Sequence, residues 1–207
     1  MQPAIRTATR KLQLPLRSSL SYYTRSGLWS LFLICAFPTH LWTIILALRD
    51  FSWVAERTNT WDAIGEVSYG LVFAFLESVV IFLAVALLGF LVPRHWDERR
   101  RIALLSALVL VAALWAMVGQ LYFLWNLSLP GQVILLLSRS SHLLRVLYAL
   151  ALVLVVPTVL VPAWLVLRSE HFLRFVNGLA ERLALLASLY LVFDAIGLLV
   201  ILIRNLL

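Results

Sequence analysis

The sequence predicts an all-α integral membrane protein, a polytopic helical bundle with about five transmembrane helices, its N-terminus inside and its C-terminus outside. Of 207 residues, 63% are apolar and only 13% are charged, and the mean hydropathy is +0.97. Soluble domains carry about a quarter charged residues. The chain therefore has too little polar surface for solvation by water, and lipid is its expected surroundings.

Five apolar segments have the length of about 20 residues that a membrane-spanning helix needs. They cover residues 28–48, 67–92, 102–125, 145–167 and 183–203. Lipid offers no hydrogen-bond partners to a peptide backbone, so segments of this kind must be helical. No remaining segment is long enough to form a second core. The prediction is a basic cytoplasmic tail, residues 1–27, followed by one transmembrane domain, residues 28–207.

The distribution of basic residues predicts the orientation. Twelve of the 17 Lys and Arg residues lie in the tail, in the loop after the second span and before the fifth span. A chain with five spans places these three segments on one side of the membrane. Cytoplasmic segments carry an excess of Lys and Arg, so that side is predicted to be the cell interior. The expected location is the plasma or inner membrane, crossed several times.

Three connectors are predicted to lie at the membrane surface. Residues 49–66 form an outer connector anchored by Trp53 and Trp61. Residues 133–137 are apolar but too short to span, which favours a surface-lying helix over a re-entrant one. Residues 171–182 alternate apolar and charged side chains, as is typical of an amphipathic segment on the inner surface.

Three ionisable residues lie well inside predicted spans: His40, Glu77 and Asp194. Such residues are costly in a bilayer and mark functional sites by default. Counted at 1.5 Å per residue, all three share a depth of about 12–15 Å below the outer border. Each also lies on a stripe of mostly small or polar residues, which marks close helix contact. We expect the three to converge, with Gln120 slightly nearer the outer surface.

Two interpretations of this intramembrane polar cluster stay open. In the functional one it is a proton or substrate site that opens outward, where Glu77 or Asp194 cycles a proton and His40 relays it. In the structural one it is a clamp between helices, with each hydrogen bond worth about 1 kcal/mol or less. The sequence favours the clamp slightly.

A basic loop on the inner surface is predicted to contact anionic lipid headgroups and to set the topology. It contains Arg94, Arg99, Arg100 and Arg101. The same cluster resembles a phosphate-binding patch. Nucleic acid is not an expected partner, because the chain has no soluble basic platform on which to hold it.

No motif identifies a reaction, so no catalytic residue, metal site or cofactor is predicted. Zinc-protease, nucleotide-loop and serine-elbow motifs are absent from the sequence. The single lysine lies in the tail, which excludes a buried Schiff base. His40 is the only histidine deep in a predicted span, which disfavours bis-histidine haem ligation.

Three functions are ranked from these observations. The first is a non-catalytic accessory or assembly subunit that packs against a larger membrane protein or against its own copies. The second is a small proton-linked carrier or lipid-handling protein with an outward-facing intramembrane site. The third is an intramembrane enzyme acting on a lipid-linked substrate, which would need Asp50, Glu56, Asp62 or Glu66 to join the cluster.

Overall fold

A computed structural model of the chain describes residues 22–93, 96–124, 128, 130–139 and 142–206. Within these ranges the protein is all helical, with six helices and no strand, and five helices are long and apolar enough to cross a membrane. The helices are α1 (Arg25–Arg57), α2 (Thr60–Gly89), α3 (Glu98–Leu124), α4 (Gly131–Ser138), α5 (Leu143–Arg168) and α6 (Glu170–Leu206). The predicted helical class is confirmed.

Capping side chains fix where several helices begin. The Thr24 hydroxyl accepts a hydrogen bond from the Gly27 N–H at 3.0 Å, and the Asn59 side chain accepts one from the Asp62 N–H at 2.8 Å. The Ser169 hydroxyl accepts from the Phe172 N–H at 3.2 Å. The first N–H groups of a helix have no partner in the helix itself, so these oxygens stabilise the helix starts.

Two predicted connectors turn out to be helical. The outer connector, residues 49–66, belongs almost wholly to α1 and α2, and only Thr58 and Asn59 lie between those helices. Residues 171–182 form the first part of α6, where Leu173, Val176 and Ala180 are buried. Leu173 and Val176 share a core cluster with α3 residues. The segment was predicted to lie on the inner membrane surface, but its apolar face packs against protein.

Helix α1 lies at the centre of the fold and packs against α2, α3 and α6. In its most apolar stretch 44% of the residues are buried, against 6% in the corresponding stretch of α5. Leu31, Ile34 and Cys35 of α1 are completely buried. Helix α5 packs mainly on α3 and α6 and leaves most of its apolar surface uncovered. That surface needs apolar surroundings.

A clasp joins the start of α2 to the end of α6. The Arg204 guanidinium pairs with the Asp62 carboxylate and donates to the Trp61 carbonyl at 3.1 Å. A Cβ atom at Gly65 would overlap the same guanidinium. Glycine at position 65 therefore gives Arg204 the room that it needs to reach Asp62.

Replacing Gly65 with Leu is expected to displace Arg204 and to lower thermal stability in detergent. Losing hydrogen bonds at a partly exposed site costs about 1 kcal/mol, which corresponds to a drop in Tm of about 2–4 °C for a chain of this size. Gly119→Leu is the matched control, because a Cβ atom at Gly119 meets nothing within 4 Å. Equal melting temperatures for the two variants would contradict the role of the clasp.

Candidate functional site

His40 of α1 and Asp194 of α6 meet in the interior of the bundle. The His40 Nε2 atom lies 2.9 and 3.0 Å from the two carboxylate oxygens of Asp194. His40 is fully buried and Asp194 is 8% exposed. The Nδ1 atom of His40 lies 2.7 Å from the carbonyl oxygen of Ala36, one helical turn earlier. The predicted meeting of these two side chains is confirmed.

The hydrogen bonds limit the charge of this pair. A carbonyl oxygen only accepts, so the Nδ1 atom of His40 carries a hydrogen. One further proton lies between Nε2 and the Asp194 carboxylate, and the pair is neutral overall whichever atom holds it. Burying a neutral, hydrogen-bonded pair avoids the large cost of burying an isolated charge. This arrangement fits a clamp between α1 and α6.

Neighbouring polar side chains extend the clamp to α2. The Thr39 hydroxyl lies 2.6 Å from the hydroxyl of Ser78, which is fully buried and also donates to the Ala74 carbonyl at 2.6 Å. The Tyr190 ring stacks on the His40 imidazole with centroids 5.9 Å apart. Thr39 and Ser78 were not among the predicted site residues. Their signal was weak, because small hydroxyl side chains are common in apolar helices.

Glu77 does not join His40 and Asp194, so the predicted convergence of all three is wrong. Adjacent helix residues point about 100° apart, and on α2 it is Ser78, not Glu77, that is buried against α1. Glu77 is exposed instead. Within the described part of the chain its carboxyl group makes no hydrogen bond or ion pair.

Glu77 lines a cavity of about 500 Å³ between α1, α2 and α3, which we call the α1–α3 cleft. Gln120 lines the same cleft, so it shares a cavity with Glu77 and not with His40 and Asp194. Thr39, Trp42 and Thr43 contribute further polar atoms from α1. The other described residues that line the cleft, Pro38 of α1 and residues of α2 and α3, are apolar.

A second cavity of about 340 Å³, the α1–α2 cavity, adjoins the cleft. Thr43 and Glu77 line both spaces, and Asp50 and Glu66 line the α1–α2 cavity alone. Two of the four acids, any one of which could have completed an enzyme site, therefore line the same cavity as Glu77. Asp62 is held instead by Arg204 in the clasp.

One face of α2 runs through both cavities and changes character along its length. Residues three or four apart lie on the same face of a helix. On this face the α1–α2 cavity is lined by Glu66, Gly70, Ala74 and Glu77, and the α1–α3 cleft continues with Ile81, Val85 and Leu88. The combined space is thus acidic towards the start of α2 and apolar towards its end.

The basic loop differs from its predicted role at one position. Arg99 is exposed, Arg100 forms an ion pair with Glu170, and Arg94 lies outside the described residues. Arg101 was predicted to contact lipid headgroups, but it is only 4% exposed and is not available to them. The reason is that Arg101 satisfies backbone carbonyls inside the protein.

Arg101 holds the segment before α1 against the start of α3. Its guanidinium donates to the carbonyls of Tyr22 at 2.5 Å and Trp96 at 3.1 Å and lies 3.8 Å from the Tyr22 ring centroid. The Tyr22 hydroxyl donates to the Gly89 carbonyl at 2.6 Å. Burial raises the pKa of the Tyr23 hydroxyl and Tyr22 raises it further, whereas the charge of Arg101 lowers it.

Comparisons with protein families, curated proteins and solved structures find no significant match for this chain. Within the described ranges, no three His, Cys, Asp or Glu side chains are grouped as a metal ion would require. What the site can bind must therefore be inferred from its own geometry. A carboxyl group on the wall of a mainly apolar cavity is suited to bind a molecule that has both a polar and an apolar part.

Proposed function

We propose that the chain is a multi-pass membrane protein, with its N-terminus inside, that binds an amphipathic molecule in the α1–α3 cleft. The single observation that carries this proposal is the position of Glu77 on the wall of a cavity of about 500 Å³. Ligand pockets typically measure about 300–1,000 Å³ and combine apolar walls with a few polar groups. The cleft has that size and that composition.

The free-energy cost of placing Glu77 within a membrane span supports a ligand-binding role. An ionisable residue within a membrane span is expensive and is kept where it interacts with something. The clamp explains His40 and Asp194, which satisfy each other. It does not explain Glu77, because Ser78 takes the place of Glu77 at the α1 interface. A ligand in the cleft gives the Glu77 carboxyl group a partner.

Lipid handling is favoured over proton-linked transport by the position of His40. A relay would need His40 to exchange protons with Glu77 or with water. His40 lines neither the α1–α3 cleft nor the α1–α2 cavity, and both of its ring nitrogens are already engaged. The proposed site therefore consists of Glu77 and Gln120 without the pair.

The test is saturable binding of small amphipaths to the full chain in lipid nanodiscs, with empty nanodiscs as background. The probes are radiolabelled dodecanol, dodecyl sulfate and dodecylamine, which share a chain and differ in head group. Ala113→Phe places a ring in the cleft that Ala113 lines. Ala149→Phe makes the same change at an exposed position of α5 and is the matched control.

We expect at least one probe to bind saturably to the wild type and to the Ala149→Phe variant but not to the Ala113→Phe variant. The Ala113→Phe variant must keep the wild-type Tm for this comparison to be made; Ala116→Phe, at another lining position, is used if it does not. Absence of saturable binding for all three probes would refute the proposed function.

The orientation gives a separate prediction. Single cysteines introduced at Ser18 and Asp97 are expected to react with a membrane-impermeant maleimide only after cells are permeabilised, whereas one at Thr58 reacts in intact cells. The native Cys35 is buried and gives little background. Labelling of Ser18→Cys and Thr58→Cys from the same side would overturn the topology.

A second candidate function, an accessory subunit that packs against another membrane protein or its own copies, is favoured by α5. Its most apolar stretch is the least buried of the five candidate spans. The mass of the protein in a mild detergent, measured by native mass spectrometry, tests self-association. A dimer lost on replacing the exposed Leu152 with Trp would support it, and a monomer at all concentrations would count against it.

A further inference from the structure

We propose that the ligand of the α1–α3 cleft is a long-chain amine, bound with its protonated amino group beside Glu77 and its hydrocarbon chain towards the end of α2. This inference rests on the proposed function and adds the chemical class of the ligand. It depends on the sign of the charges around the cavity, on the polar groups that share the cleft with Glu77 and on the length of the apolar wall.

Among the residues that the structure describes, the charged side chains that line the two cavities are all acidic. They are Asp50, Glu66 and Glu77, and no described Lys, Arg or His lines either cavity. Asp50 is partly neutralised by its neighbour Arg49, whose Nε atom lies 2.7 Å from a carboxylate oxygen. Glu77 has no such partner within the described part of the chain. A carboxylate in apolar surroundings interacts strongly with a nearby cation, so the charge of the cleft is complementary to an ammonium group.

The polar groups that line the cleft together with Glu77 match the needs of an ammonium group. An ammonium ion has three N–H donors and no acceptor. The Glu77 carboxylate, the Gln120 amide oxygen and the hydroxyls of Thr39 and Thr43 are acceptors that line the same cleft. Trp42 adds an indole ring, the best aromatic partner for a cation. A sulfate or carboxylate head group could accept hydrogen bonds from the Gln120 amide and the threonine hydroxyls, but the negative charge of Glu77 would repel it.

The apolar part of the cleft fits a hydrocarbon chain. On α2 the lining continues from Glu77 through Ile81 and Val85 to Leu88, eleven residues further on. At 1.5 Å per residue this wall is about 16 Å long. The facing α3 wall, from Leu105 to Met117, is apolar as well. A single extended chain packs its methylene groups along both walls, where van der Waals contacts with the protein replace those with lipid.

The α1–α2 cavity gives the amine a route to Glu77. Asp50 and Glu66 line that cavity near the end of α1 and the start of α2, and Glu77 lies where it joins the cleft. Acidic groups that line a cleft raise the local concentration of cations. A protonated amine would therefore pass Asp50 and Glu66 before it reaches the deeper carboxylate.

The nanodisc experiment separates this inference from the proposed function. The wild type is expected to bind dodecylamine at least tenfold tighter than dodecanol, and dodecyl sulfate more weakly still. Glu77→Gln keeps the shape of the side chain and removes its charge, so it should abolish the preference for the amine. Glu181→Gln removes an acid at an exposed position of α6 that lines neither cavity, and it is the matched control.

Each outcome has one meaning. If dodecylamine and dodecanol bind equally well, and Ala113→Phe blocks both, the inference about the amine is wrong and the cleft remains a binding site. A preference for the amine that persists in Glu77→Gln also overturns the inference, since the selection then arises elsewhere. If no probe binds saturably, both proposals fail together. A preference lost in Glu77→Gln and kept in Glu181→Gln supports both.

Discussion

Replacing Asp194 with Ala is expected to lower the Tm of the protein in detergent by about 6–12 °C. This is the shift expected in a chain of this length when the free energy of unfolding falls by about 3 kcal/mol. The substitution leaves His40 buried without the partner that shares its proton. It also separates α1 from α6 at a point where side chains pack closely. Tryptophan fluorescence during heating measures the change.

Two further variants show whether this loss comes from the pair. Asp194→Asn keeps an acceptor for His40 and should cost less than Asp194→Ala. The double variant His40→Ala, Asp194→Ala should lose little more stability than the less stable of the two single variants. The reason is that the effects of removing two partners of one hydrogen bond are not additive. Strictly additive losses would mean that the two residues act independently. Loss of amphipath binding in Asp194→Asn at unchanged Tm would mean that the pair belongs to the site.

Arg101→Ala is expected to lower the Tm by about 4–8 °C, corresponding to about 2 kcal/mol. The change removes the donors that serve the Tyr22 and Trp96 carbonyls and empties the space above the Tyr22 ring. Arg101→Lys should regain little of the Tm that is lost in Arg101→Ala. An ammonium group lacks the planar guanidinium geometry that reaches two carbonyls while stacking on a ring. Heating the detergent-solubilised protein provides the measurement.

Arg99→Ala is the matched control for Arg101. It removes the same charge from the same helix start, but Arg99 is exposed. Its Tm should stay within about 2 °C of the wild type, as is usual for surface substitutions. If both arginine variants lose the same stability, net charge near the start of α3 matters and the buried contacts of Arg101 do not.

Much of the fold could be predicted because the hydropathy of a segment is a coarse property of that segment alone. A stretch of about 20 apolar residues needs no tertiary information to be identified as a candidate span. The ends of the helices were less predictable. Residues 49–66 were assigned to a connector, yet α1 continues to Arg57 and α2 begins at Thr60. Polar residues continue a helix whenever no cap or breaker intervenes, and hydropathy does not report this.

The candidate site was predictable in depth and not in direction. His40 and Asp194 were placed at one level by counting residues, and they meet there. Glu77 was assigned to the same level, but it faces the cleft while Ser78 faces α1. Adjacent residues of a helix point in directions about 100° apart, so a shift of one residue gives a side chain a different partner. For a helix that is apolar on all sides, no single sequence determines which direction faces a neighbouring helix.

The sequence by itself determined that the chain is helical, that five segments are long and apolar enough to cross a membrane, and that a few costly polar groups lie within them. Hydropathy and length are properties of each segment alone, so they could be read without neighbours. Only the tertiary structure decided that His40 and Asp194 satisfy each other, that Arg101 is buried and that Glu77 lines a cavity with Gln120. These depend on how each helix is rotated against the others, which is set by packing between segments far apart in the chain.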